Sequence, residues 1–178
     1  MRAYKDRPMK ITKKNLNELL DFMIDTGYEA GETILKFQKE RQLLNITNKG
    51  AEGIASDADE ASEKVILDAI KEKFPKHEIL SEEDYSKKAD KNLLDINKKE
   101  FLWVIDPLDG TNNFVNGIPI YAVSIALMSK GKAIGGLVYN PLSGECFFAA
   151  KGLGAFLIDF RINPLKKYTL DNKLNTKA

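Results

Sequence analysis

Cysteine is nearly absent from this chain of 178 residues: Cys146 stands alone. One thiol closes no disulfide within a chain, so a cross-linked secreted scaffold is excluded and a reducing compartment, the cytoplasm, is expected. An excess of charge of either sign is lacking as well. The 27 Lys and Arg are balanced by 26 Asp and Glu. That argues against a nucleic-acid partner, which a clearly basic surface usually meets, and equally against an acidic disordered chain. No apolar run approaches the roughly 20 residues of a membrane span, so no membrane partner is expected. Residues 1–10 contain no apolar core of a secretory signal. What remains is a soluble globular protein. Hydrophobic residues make up 43% of it, enough to bury a core without staples.

The residues that are present are unevenly spread. Between 101 and 150 the only charged side chains are Asp106, Asp109, Lys130, Lys132 and Glu145. The first hundred residues hold most of the charge and show a helical period. Leu16, Leu19, Leu20, Met23, Ile24, Ala30 and Ile34 predict a helix from Asn15 to about Glu40. Gly27 and Gly31 lie four apart on it. Each costs about 1 kcal/mol against Ala, which predicts a close helix contact as compensation. A second helix is expected from Asp57 to Phe74, entered through Ser56-Asp57-Ala58-Asp59, which resembles a capping box, and stopped by Pro75. The apolar half predicts strands at 78–81, 101–106, 121–128, 133–139, 145–149 and 155–157. Short Gly- and Pro-containing turns join several of them, which makes those neighbours antiparallel. Residues 84–100 read as an exposed loop. The fold class is therefore α+β, two long helices packed on a mostly antiparallel sheet.

The apolar run Phe101–Ile105 leads straight into Asp106-Pro107-Leu108-Asp109-Gly110-Thr111. Two unpaired carboxylates at the end of a buried strand would be costly or would take up protons. A divalent cation removes that cost, and hard oxygen donors suit Mg2+. Pro107 sets a rigid turn on which Asp106 and Asp109 can converge and the Leu108 carbonyl can point inward. The N–H groups of Gly110 and Thr111 then open a helix whose start can cradle a phosphate. The alternative is an Asp-rich turn with Asp109 as a helix cap. Ser81-Glu82-Glu83-Asp84 is a second strand end running into acids, or a solvated turn. Asp59 is a helix-start acid favoured by the helix dipole. His77, beside a Pro-Lys turn, reads as surface, and Cys146, in mid-strand, as core.

Occurring together, these elements resemble one family. Residues 103–115, Trp-Val-Ile-Asp-Pro-Leu-Asp-Gly-Thr-Asn-Asn-Phe-Val, are similar to the metal-binding signature of the inositol monophosphatases. Ser81-Glu82-Glu83 looks like the family's Gly-Glu-Glu element, with Ser at the Gly position. Lys49-Gly50 followed by Asp59 and Glu63 resembles its lysine loop and helix start. The likeness runs from about residue 15 to 172. It implies the amino-terminal half of the layered sugar-phosphatase fold and Mg2+-dependent hydrolysis of a small phosphorylated polyol or sugar, with Li+ as inhibitor. By match, Glu83 and Asp106 with the Leu108 carbonyl hold a first metal, and Asp106 and Asp109 contribute to a second. Gly110 and Thr111, beside Asp109, hold the phosphate. Glu83 and the Thr111 hydroxyl position the attacking water, Asp59 supports Thr111, and Lys49 lies in a loop over the site. Asn112-Asn113 fits the inositol monophosphate branch, with fructose 1,6-bisphosphate and adenosine 3',5'-bisphosphate as alternative substrates. A homodimer is the family's common assembly. Family members continue further, so the resemblance also implies a metal-binding domain over 1–172, a polar tail over 173–178 and no carboxy-terminal α/β half. The alternative function is accordingly a weakly active or inactive remnant, or half of a split enzyme.

Overall fold

The computed structural model describes residues 11–40, 43–48, 54–82 and 96–162. Lys49, Glu83, most of the 84–100 stretch and the polar tail lie outside the described residues. Helix α1 (Lys13–Lys39) begins where the Thr12 hydroxyl accepts the Asn15 N–H at 3.2 Å. Strands β1 (Ile46–Asn48) and β2 (Ile54–Ser56) form a small antiparallel pair before α2 (Asp57–Lys73). Strands β3 (Glu78–Ser81) and β4 (Leu102–Asp109) follow, then the short helix α3 (Thr111–Asn116). The chain continues through β5 (Ala122–Ser129), β6 (Lys132–Asn140), β7 (Glu145–Ala150) and β8 (Gly154–Asp159). The larger sheet has the order β3-β4-β5-β6-β7-β8. Among the described strands of this sheet, β3 and β4 run parallel and every other pair is antiparallel. The α+β class expected from the sequence is the one observed.

Alternation of side chains sorts the sheet into two unlike faces. Trp103, Ile105, Val123, Ile125, Leu137, Tyr139, Cys146 and Phe148 are buried in one core cluster with the inward residues of α1 and α2. The opposite face carries Ser124, Ala126, Gly136, Val138, Phe147 and Ala149, paired across β5, β6 and β7. Val138 and Phe147 are 47% and 43% exposed. The close contact predicted at Gly27 and Gly31 is made with the sheet. A Cβ on Gly27 would stand 2.7 Å from a Leu137 methyl, and one on Gly31 would stand 2.4 Å from the Tyr139 ring. These two glycines let α1 sit directly on β6.

His77 departs from its surface assignment. Its ring stacks on Phe74 and Phe101 and its Nδ1 accepts the Trp103 indole N–H at 3.1 Å. The parallel pairing of β3 with β4 brings Trp103 alongside, which the local Pro-Lys turn does not reveal. Burial holds the imidazole well below its usual 6.5, at about 4, so it is a neutral acceptor. Cys146 is buried as expected, its thiol pushed up to about 12 by desolvation. No helix among the described residues is long and apolar enough to cross a membrane.

Candidate active site

The site begins with an irregularity in β4. The strand does not end at Asp106 but continues to Asp109, with the β5 register shifted between them: Asp106 faces Ser124, and Asp109 faces Ala122. Side chains three apart on a regular strand point to opposite faces. Here three steps on β4 match two on β5, a bulge that restores both carboxylates to the same face. The burial pattern agrees, since Pro107 and Leu108 are both buried while Asp106 is half-buried and Asp109 exposed. The Asp106 carboxylate accepts the Leu108 N–H at 3.2 Å, the self-turn that Asp favours. Pro107 has no N–H to contribute, so the bulge forgoes no ladder donor there.

Gly110 then turns the chain into α3 with φ +92°. A Cβ at this position would lie 2.9 Å from the Ile120 carbonyl oxygen, so only glycine fits. Thr111 opens the helix, and its hydroxyl lies 2.7 Å from Asp59 Oδ1 and 3.1 Å from the Leu108 carbonyl. A hydroxyl has one proton to give, and the carboxylate is the nearer and stronger acceptor. Asp59, 1% exposed, also takes the Ser56 N–H at 2.9 Å and the Ser56 hydroxyl at 2.6 Å. It thus caps α2 and fixes Thr111 at once. On the same helix face, Ser62 donates to the Pro107 carbonyl at 2.7 Å, and Glu63 accepts the Ser81 hydroxyl.

Electrostatics mark Asp106 as the strained member. Its carboxyl is raised from 3.8 to about 7, first by burial, then by the charge of Glu82 and a hydrogen bond with it, then by Asp109. The Leu108 N–H works in the opposite direction. Glu82 therefore joins this group, a residue whose role the sequence left unassigned in favour of Glu83. A run of adjacent acids has no periodicity to say which of them meets Asp106. Among the described residues, no three carboxylate, imidazole or thiolate groups stand close enough together to hold a metal as they are. The donor set nevertheless fits a hard cation. A half-buried carboxylate raised by desolvation and by the negative charge of two neighbouring carboxylates is the environment that a divalent ion relieves.

Comparison with known proteins gives the same direction. The model of the inositol monophosphatase family matches residues 15–178. The chain is 37% identical over 155 residues to a protein of Pasteurella multocida named Nus factor SuhB, covering 87% of this chain and 55% of the relative. Among solved structures, SuhB of Bartonella henselae superposes with a TM-score of 0.69 at 35% identity, covering 80% of this chain and 52% of that one. An IMPase of Thermotoga maritima gives 0.67 at 31% identity, covering 79% and 51%. The chain spans about half the length of the relatives it matches.

Proposed function

This chain belongs to the inositol monophosphatase family, and from that premise we propose that it holds Mg2+ and hydrolyses a small phosphomonoester, inositol monophosphate or a similar sugar phosphate. The observation that carries the proposal is the bulge that turns Asp106 and Asp109 to one face, with Glu82 against Asp106. Asp106, Asp109, the Leu108 carbonyl and Glu82 would hold the metal, together with Glu83, to which the sequence likeness gives a ligand role and which lies outside the described residues. When bound, the cation would supply charge neutralisation at phosphorus and a more acidic water.

The chain's own groups supply the rest. Thr111 donates its hydroxyl hydrogen to Asp59, which leaves the hydroxyl lone pairs to accept from a water. Thr111 thereby orients that water through its oxygen, and the buried Asp59 keeps the side chain from rotating away. The N–H groups of Gly110 and Thr111 lie at the start of α3, where they would receive phosphate oxygens. Lys49 would cover the site, and Li+ would inhibit. Inositol monophosphate, fructose 1,6-bisphosphate and adenosine 3',5'-bisphosphate are the substrates to assay for phosphate release with Mg2+. Turnover of the first above the others is expected, and Asp109→Asn should abolish it. Near-normal turnover by Asp109→Asn would refute the assignment.

A second reading is favoured by the apolar sheet face, on which Val138 and Phe147 are partly exposed, and by relatives about twice as long: a chain that binds metal yet turns over weakly until a further polypeptide covers that face. Metal binding without phosphate release would select it.

A further inference from the structure

Ser62 is fully buried on α2, 0% exposed. A serine inside a helix ordinarily turns its hydroxyl back to the carbonyl four residues earlier. Ser62 instead reaches a residue 45 positions away and donates to the Pro107 carbonyl at 2.7 Å. That carbonyl lies in the segment of β4 where pairing with β5 is interrupted. Buried and out of register, it takes the Ser62 hydroxyl as a partner. The interruption is also what puts Asp106 and Asp109 on one face, and a slip of one residue would send Asp109 to the other.

We propose that Ser62 is a positioning residue for the carboxylate pair: its hydrogen bond to Pro107 holds the β4 bulge open at the width at which Asp106 and Asp109 receive a divalent cation together. The inference rests on the metal-binding reading above. It gives α2 a definite task. Through Ser62 the helix fixes the segment between the two aspartates, and through Glu63 it fixes Ser81, the neighbour of Glu82. Outer partners of this kind set ligand geometry, and losing one typically weakens metal affinity about 10–100-fold.

The test uses Mn2+ binding to the 178-residue chain, followed by electron paramagnetic resonance. The variants are Ser62→Ala, Ser62→Cys, Asp106→Asn and Ile70→Val. Ile70 is a core residue of the same helix with no polar contact, and it serves as a control for loss of stability alone. Ser62→Ala should bind Mn2+ about 10–100-fold more weakly, and Ser62→Cys, a near-isostere with a poor donor, should also weaken binding. Ile70→Val should melt earlier yet keep its Mn2+ affinity. Wild-type affinity in Ser62→Ala would overturn the inference. If that variant does not fold, wild-type affinity in Ser62→Cys would do the same. A comparable loss in Ile70→Val would also overturn it, by showing that α2 stability alone governs the site. Equal binding by the wild type and Asp106→Asn would instead remove the metal-binding reading, and this inference with it.

Discussion

Asp59 receives hydrogen bonds from Ser56 N–H, Ser56 Oγ and Thr111 Oγ1, so one carboxylate joins the start of α2 to the start of α3. Under the proposed hydrolysis, Thr111→Ala removes the oriented hydroxyl and is expected to lower kcat by about 10²–10³, the usual cost of one such electrostatic group. Steady-state phosphate release checks it. His77 gives a second prediction at this scale. Its folded value is about 4 against 6.5 unfolded. Below pH 6.5 the unfolded chain takes the proton while the folded imidazole refuses it, until about pH 4. Stability from this group is therefore complete above pH 6.5 and is lost as the pH falls toward 4. At pH 5 the loss is about 1 kcal/mol, after discounting for partial exposure. His77→Gln keeps an acceptor for Trp103 and does not titrate. Its urea midpoint should fall less between pH 8 and pH 5 than that of the wild type, and an equal fall would contradict the assignment.

At the scale of elements, the seating of α1 on β6 distinguishes two glycines that look alike in sequence. Gly31→Ala drives a methyl into the Tyr139 ring, which is buried and packed against Tyr28 and Phe160. Overpacking of this kind costs about 1–3 kcal/mol, more than the helix propensity gained, so Tm should drop. Gly27→Ala meets only the end of the flexible Leu137 side chain and should leave Tm nearly unchanged. Differential scanning calorimetry of both variants separates them. The two long helices and the six strands of the larger sheet were legible because their periods, 3.6 and 2, are written in single stretches, whereas the short pair β1 and β2 was not expected. The expected helix from Asp57 to Phe74 is α2, observed as Asp57–Lys73. The β4 bulge was not legible. Asp106 to Asp109 look like a turn after a strand, and only the register of β5 shows that the strand continues. The burial of His77 and the reach of Ser62 to Pro107 were hidden for the same reason, since both depend on residues far away along the chain.

At the scale of the whole molecule, among the described residues the sheet is covered by helices on one face and carries Val138, Phe147 and its β8 neighbour Leu157 on the other. This apolar face is expected to bind a hydrophobic dye. Replacing Val138 and Phe147 by Lys should reduce the fluorescence without lowering Tm, since neither side chain lies in the core. An unchanged signal would place the dye elsewhere. The carboxylates at the end of β4 were legible from residue types as candidate metal ligands with an Asp-rich turn as the alternative, whereas the interaction of Glu82 with Asp106 needed the fold to bring them together. The central claim is that these carboxylates are gathered for a divalent cation. The most direct measurement is calorimetric titration of the wild type and Asp106→Asn with Mg2+ at pH 6 and pH 8. Because the Asp106 carboxyl is raised to about 7, it is largely protonated at pH 6 and ionised at pH 8. The wild type should therefore bind more tightly at pH 8 and release a proton on binding at pH 6, and Asp106→Asn should bind at neither. Equal binding by the two proteins, with no dependence on pH, would contradict it.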